Sequence, residues 1–317
     1  MKAPAFWYRP VGIAARCLAP LSCLYRAGGA VRRAVAKPYQ AAVPVICVGN
    51  IVAGGSGKTP TALALASLLE QRAKKPVFVT RGYGGRERGP LRVDPLRHTA
   101  AEVGDEALLL ARSAPVWIGR DRVAALREAE KEATHIILDD GLQNPNVLPD
   151  LALLVVDAGA GFGNGHVIPA GPLRETLGEA LRRIDAIVLV GEGRQDAIEG
   201  VGVPVLRASL EAVIPPDFPR DEKFLAFAGI GRPEKFYQAC LNAGLTLVRT
   251  RDFPDHHVFS ERELDDLVVK ATHSRARLLT TEKDFVRLPL AFRMKVETLP
   301  VRLVFEDVGA VERMLGL

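Results

Sequence analysis

The chain has 317 residues, 48% of them hydrophobic, which is long for one compact domain and comfortable for two. Its formal net charge of +5 is an end effect: Lys2, Arg9, Arg16, Arg26, Arg32, Arg33 and Lys37 crowd residues 1–40 without a single acid, and 42 less these seven leaves 35 basic residues against 37 acidic ones. A nucleic-acid binder spreads Lys and Arg over a folded face, so the charge pattern argues against that class, and no nucleic-acid partner is expected.

Residues 1–40 alternate those charges with Phe6, Trp7, Tyr8, Val11, Ile13, Leu18, Leu21, Leu24, Tyr25 and Val31. Aromatics beside arginines, and leucines at helical spacing, suit the headgroup boundary of an anionic membrane. They suit equally a helix docked on the protein's own body. Arg16 and Arg26 interrupt the only apolar run that approaches spanning length, and they also break any secretory signal. Pro20 and Gly28-Gly29 predict a segment broken into shorter helices. Cys17, Cys23, Cys47 and Cys240 form no CxxC pair and read as small apolar residues in a reducing compartment.

From Val43 onward, β-branched runs alternate with helical stretches, the pattern of an open parallel sheet covered by helices. Strands are predicted at Val45–Val48, Val77–Thr80, Val116–Ile118, His135–Leu138, Ala152–Val156 and Ala186–Val190. Helices fall at Thr59–Arg72, Asp105–Arg112, Arg120–Lys131 and Glu175–Arg183. Residues 203–210 and the proline-rich 214–219 read as a linker. A second α/β set follows, with strands at Phe224–Ala228, Thr246–Thr250 and Leu278–Thr280 and helices at Pro233–Ala243, Glu261–His273 and Glu282–Leu288. Val301–Phe305 reads as a strand returning to the linker and Ala310–Leu315 as a closing helix.

The run Val48-Gly49-Asn50-Ile51-Val52-Ala53-Gly54-Gly55-Ser56-Gly57-Lys58-Thr59-Pro60 leaves a strand, turns through glycines and enters a helix. Such a phosphate loop bares backbone N–H groups around phosphates at a helix N-terminus. Gly54, Gly55, Ser56, Gly57, Lys58 and Thr59 are therefore the predicted ATP-binding residues. Lys58 reaches the β- and γ-phosphates as a catalytic cation, and Thr59 offers its hydroxyl to Mg²⁺. The usual leading glycine is Val52 here. Downstream, His135-Ile136-Ile137-Leu138 ends in Asp139-Asp140-Gly141; carboxylates at the end of a parallel strand sit at the ligand crevice and are predicted to serve the Mg²⁺. Ala53 stands where partition-type ATPases carry a signature lysine, and no Asn-Lys-x-Asp guanine motif occurs, so the predicted cofactors are ATP and Mg²⁺.

Further segments carry a resemblance: Phe6-Trp7-Tyr8, Arg81-Gly82-Tyr83-Gly84-Gly85, Val103-Gly104-Asp105-Glu106, Asp139 to Gln143, Phe162-Gly163-Asn164-Gly165, Pro169 to Glu175, Asp255-His256-His257 and Thr281-Glu282-Lys283-Asp284. In this order, with the variant phosphate loop, they resemble the tetraacyldisaccharide 4′-kinases of lipid A biosynthesis over nearly the whole chain. The resemblance implies an α/β fold with a P-loop NTPase-type parallel sheet core, a second, smaller α/β lobe and an N-terminal membrane-associating helical segment. Its divisions are 1–40 (membrane segment), 41–210 (kinase core), 211–300 (second lobe) and 301–317 (returning strand and closing helix). It implies γ-phosphate transfer from ATP to the 4′-hydroxyl of a tetraacyldisaccharide 1-phosphate. The partners implied are that glycolipid and the lipid surface on the cytoplasmic face of the inner membrane, with no obligate protein partner. It also implies that Arg81, Tyr83, Gly84, Asn164 and Arg174 line the substrate site. A membrane-recruited ATPase switch without a lipid acceptor is the alternative reading.

Asp105 is the predicted base, because Gly104 brings the backbone close to the crevice where a helix begins. By resemblance, His256 joins it in a dyad as the lobes close, aligns it and helps to raise its proton affinity. Plain structural readings stand beside these: Asp105 as a first-turn helix acid, Ser260 with Glu263 as a capping box after Asp255-His256-His257, and Thr281 with Asp284 as a helix cap.

Overall fold

The computed structural model describes residues 4–193, 198 and 200–317, so Lys2 lies outside the described residues. A nine-stranded sheet forms the larger body, built from β1 (Val45–Gly49), β2 (Pro76–Thr80), β3 (Leu91–Arg92), β4 (Val116–Ile118), β5 (His135–Asp139), β6 (Leu151–Asp157), β7 (Ala186–Val190), β8 (Val205–Ala212) and β13 (Val301–Phe305), the last numbered in chain order. Its order is β13-β8-β7-β6-β1-β5-β2-β4-β3. Pairing is parallel from β8 through to β4, and only the two edges, β13 on β8 and β3 on β4, are antiparallel.

Helices cover both faces, which is why the central strands are apolar throughout rather than alternating. Val45 and Cys47 of β1 face one core while Ile46 and Val48 face the other. The helices that bear on the site are α1 (Ile13–Ala34), α2 (Lys58–Gln71), α3 (Ala100–Val103) and α4 (Asp105–Leu110). Because β1 lies between β5 and β6 and the chain winds outward on both sides, the carboxyl ends of β1 and β5 open at a topological switch point, where α/β sheets bind ligands.

The second body is a four-stranded parallel sheet, β10-β9-β11-β12, made of β9 (Lys223–Ala228), β10 (Thr246–Asp252), β11 (Arg277–Thr281) and β12 (Val296–Leu299). It has its own two cores, one around Phe227 and Leu267 and one around Phe224 and Cys240. Its helices include α7 (Pro233–Asn242), α8 (Glu261–His273) and α9 (Glu282–Phe285); between α4 and α7 lie α5 (Arg122–Ala129) and α6 (Leu177–Leu181). The chain passes to this lobe through β8 and returns along β13.

Strands β3 and β12 and a short helix at Leu290–Arg293 were not predicted, and three further elements depart from the sequence reading. Residues 205–212 of the linker region are ordered as strand β8, whose Leu206 and Ala208 face the core while Arg207, Ser209 and Glu211 alternate with them, and which pairs with the returning strand β13. Helix α3 was not predicted, although Thr99 and Glu102 form its capping box. The N-terminal segment is one 22-residue helix that continues through Pro20. Tethers on both sides of the proline hold it: Ala15 is buried, Ser22 Oγ donates to Val167 O at 2.6 Å, and Arg26 pairs with Glu179 at 3.1 Å. Its outer face carries Ile13, Leu24 and Val31, 81%, 70% and 62% exposed. Among the described residues, no helix is long and apolar enough to cross a membrane.

Candidate active site

The phosphate loop leaves β1 and is held open by Asn50, which is fully buried. Its Nδ2 donates to Val52 O at 2.8 Å and Gly54 O at 3.2 Å, and its Oδ1 accepts from Lys58 Nζ at 3.2 Å. Gly57 has φ +92°, a conformation that side chains rarely adopt, and it turns the chain into α2. The loop is zipped to the segment before Glu175: Ala53 N donates to Pro172 O at 2.8 Å and Arg174 N to Ile51 O at 2.7 Å.

That pairing delivers Arg174 to the end of β5. Its Nη1 donates to both oxygens of Asp140, at 3.2 and 3.3 Å, and to Gln143 Oε1 at 3.1 Å. Lys58 Nζ lies 3.6 Å from Asp140 Oδ1. Burial works against ionisation of Asp140, but the charges of Lys58 and Arg174 outweigh it and hold the carboxyl below its usual range. Asp139 differs: burial, with Glu106 and Asp140 nearby, pushes it up to about 7 against the pull of Lys58. Its Oδ2 accepts from Thr59 Oγ1 at 3.3 Å, while Oδ1 is buried without a hydrogen-bond partner, as is Ser56 Oγ. A buried carboxylate oxygen with no donor, beside a threonine hydroxyl, fits a hard cation. Arg122 is buried behind this pair; burial and the charge of Arg81 lower it to about 10.

A second cluster assembles where the lobes meet. Asp105 opens α4 and is 5% exposed. Its Oδ2 accepts from His256 Nδ1 at 3.0 Å, from Arg287 Nε at 2.7 Å and from Arg287 Nη2, while Oδ1 accepts from the Glu106 N–H at 2.9 Å. Next door, Lys283 Nζ donates to Glu106 Oε1 at 3.1 Å. The Tyr83 ring meets the His256 ring edge to face at 5.7 Å. Close backbone approach makes this possible: Gly104 has φ +88°, and a Cβ there would lie 2.4 Å from Tyr83 O.

The electrostatics overturn one expectation. His256 does not raise the proton affinity of Asp105. Burial alone would do so, but the hydrogen bond from His256 and the charges of Lys283 and Arg287 hold this carboxyl well below the ordinary range.

The model for the family described as "Tetraacyldisaccharide-1-P 4′-kinase" matches residues 14–316. A tetraacyldisaccharide 4′-kinase of Parvibaculum lavamentivorans is 52% identical over 91% of this chain and 87% of its own length. One of Rhodospirillum centenum is 49% identical over 100% and 96%. The chain belongs to the tetraacyldisaccharide 4′-kinase family. A crystal structure of LpxK from Aquifex aeolicus in complex with ATP is similar in fold, with TM-score 0.77 and 27% identity over 95% of this chain and 98% of that one.

Within this member of the family, Arg81 lies near Arg122 behind the Asp139-Asp140 pair, and the other predicted residues fall into three groups. Gly54 to Thr59, Asp139, Asp140 and Arg174 converge at the carboxyl ends of β1 and β5. Asp105, His256 and Tyr83 converge at the lobe junction, with Gly84 in the same loop. Asn164 stands apart: its Nδ2 donates to Ala170 O at 2.9 Å, its Oδ1 accepts from His166 N at 3.1 Å, and its backbone N–H donates to Trp7 O at 2.7 Å, so it shapes the loop that seats the N-terminal segment. His257 also stands apart, bonded to Glu263 at 3.1 Å and stacked on Phe253. Asn50, Glu106, Gln143 and Lys283 lie in the quoted motifs but were given no role of their own, and Arg287 was not named at all. Arg287 carried a faint signal, its spacing of three from Asp284.

Proposed function

We propose that the chain performs its family's reaction as an ATP-dependent kinase, phosphorylating the 4′-hydroxyl of a tetraacyldisaccharide 1-phosphate, with Asp105 as the base. The observation that carries this reading is the meeting of two clusters: a phosphate loop on the core lobe and, one helix away, a buried carboxylate held by the other lobe.

The loop N–H groups, Ser56 and Lys58 receive the ATP phosphates. Thr59 and Asp139, with Asp140 beside them, would hold Mg²⁺, which neutralises charge on the phosphates; few protein ligands are needed because Mg²⁺ takes much of its shell from phosphate and water. Lys58, parked on Asn50 and Asp140, needs only a small side-chain movement to reach a phosphate. As the sugar oxygen bonds to the γ-phosphorus, the bond to the bridging oxygen breaks and ADP leaves with the electron pair. The hydroxyl proton passes to Asp105. Positioning and charge neutralisation do most of the work in such transfers.

The membrane reading rests on α1. Its inner face is docked on the body, where Arg32 donates to Gln143 O, and its outer face presents Ile13, Leu24 and Val31 near Arg16, which suits the cytoplasmic surface of an anionic inner membrane where the glycolipid resides. Incubation with radiolabelled ATP and a tetraacyldisaccharide 1-phosphate tests the function. Labelled 4′-phosphate is the expected product; slow ATP hydrolysis indifferent to the lipid would favour the switch ATPase instead.

A further inference from the structure

The segment following β11 is more than a capped turn. Asp284 is fully buried, and burial drives its proton affinity up against the charge of Arg287. Three donors meet that carboxylate: Oδ2 accepts from Gly229 N at 3.0 Å and Thr281 Oγ1 at 2.7 Å, and Oδ1 from Arg287 Nη1 at 2.9 Å; the same Nη1 also donates to Gly229 O at 2.8 Å. The His256 N–H also donates to Gly229 O, at 3.2 Å. One end of the guanidinium is therefore anchored within the second lobe, and the other end, Nε and Nη2, projects across the junction onto Asp105 Oδ2. Both side chains of the Arg287–Asp105 pair are 6% exposed, so neither water nor salt competes strongly.

Arg287 and His256 together saturate Oδ2. Oδ1 has accepted one backbone N–H and keeps its other lone pair. With Oδ2 held by the Arg287 fork and His256, and Oδ1 by the Glu106 N–H, a rotation that exchanged the two oxygens would break every one of these bonds.

We infer that Arg287 is a positioning residue for phosphoryl transfer: anchored by Asp284 and Gly229, it clamps Asp105 Oδ2 from the opposite lobe and leaves Oδ1 as the atom that takes the acceptor hydroxyl's proton. This rests on the reading of Asp105 as the base. A base clamped in this way stays ionised throughout the working pH range. It is a weak proton acceptor, adequate for a loose transition state in which the hydroxyl keeps its proton until late. Because the base and the clamp come from different lobes, its orientation is complete only when they meet.

The other charged groups around Asp105 are His256 and Asp255 on the preceding loop, Lys283 on α9 and Glu106 on α4. The His256 imidazole bonds the same oxygen, so the test is run in the His256→Asn background as well as in the otherwise unaltered enzyme. Arg287→Met should lower kcat by about 10–100-fold, leave KM for ATP unchanged, and move the acid limb of kcat/KM upward by roughly 1–3 pH units, as expected when an adjacent cation is removed. Arg287→Lys keeps the charge without the fork: the limb should stay low while kcat still falls. If Arg287→Met does not fold because Asp284 is left unpaired, Asp284→Asn/Arg287→Met removes both buried charges and carries the same test. An acid limb that stays put in the folded methionine variant, or an undiminished kcat in either variant, overturns the clamp. Asp105→Asn, assayed alongside, separates the two ideas. If it retains kcat, the base assignment itself has failed; if it is inactive while Arg287→Met is normal, only the clamp has failed.

Discussion

Replacing Asp105 by Asn keeps the size of the side chain and removes its charge. In the structure this carboxylate accepts one backbone N–H on Oδ1 and three side-chain donors on Oδ2. An amide can face only one of those sides with its oxygen, so its NH₂ must point at another donor. Breaking a buried ion pair costs about 3–5 kcal/mol, but Arg287 retains Asp284, so we expect the lower part of that range or slightly less, about 2–3 kcal/mol. The sign with pH follows from linkage. The folded-state pKa of Asp105 is depressed, so its stabilisation is full at neutral pH, begins to fade as pH drops below the unfolded value of about 3.9, and is gone below the folded one. Urea midpoints should therefore separate the two proteins at pH 7 and converge below about pH 4. In steady-state assays with ATP and the lipid acceptor, kcat should fall on the order of 10²–10⁴-fold with KM for ATP little changed. If kcat survives while ATP affinity collapses, Asp105 is a cap or a metal neighbour, and the base must be sought at Asp139 or Asp140. A stability gap equal at pH 3 and pH 7 would refute the ion-pair argument independently.

Lys58→Ala should abolish nearly all turnover, while thermal melting shifts little, because its two contacts are one hydrogen bond and one long ion pair. Thr59→Ala should raise the Mg²⁺ concentration needed for half-maximal rate and lower kcat together, read from a metal titration. Leu24→Glu with Val31→Glu, both on the outer face of α1, should release the protein from anionic vesicles in a flotation assay and raise KM for the lipid more than for ATP; these positions are cleaner than Arg26, which is tied to Glu179. Gly104→Ala should depress kcat and melting temperature together, since its Cβ would lie within 2.4 Å of a backbone oxygen at a positive φ.

The sequence was most legible where one local rule decides the outcome. Strand β1, the glycine turn and α2 follow from apolar run, backbone freedom and helix start, and β4, β7 and α8 fall on their predicted residues. It was least legible where the deciding partner is distant. Strand β8 alternates apolar and polar residues, yet the prolines on either side of it, Pro204 and Pro215-Pro216, suggested a linker; only pairing with β7 and β13 makes it a strand. Pro20 argues locally for a broken helix and loses to contacts with residues 167 and 179. Arg287 lies 182 residues from Asp105, so no local pattern could have tied the two together.

The three aspartates of the site differ in proton affinity for reasons that suit them to different work. Asp140, bonded to Arg174 and close to Lys58, is neutralised within the core lobe and has little left to offer an acceptor. Asp139, pushed up to about 7 with one oxygen unpartnered, is the carboxylate whose ionisation most needs an additional cation. Asp105 is ionised without one, because its countercharges arrive from the other lobe. With ATP and a metal at the phosphate loop and Asp105 as the base, as proposed, the nucleotide half would need no contact between lobes, whereas the acceptor half would depend on it. Glu106 joins the halves, since it pairs with Lys283 of the second lobe while its charge reaches Asp139 of the first. An arrangement of this kind ties proton acceptance to lobe contact rather than to nucleotide binding. On the proposed reading of Asp105 as the base, that would favour transfer to a lipid hydroxyl over transfer to water.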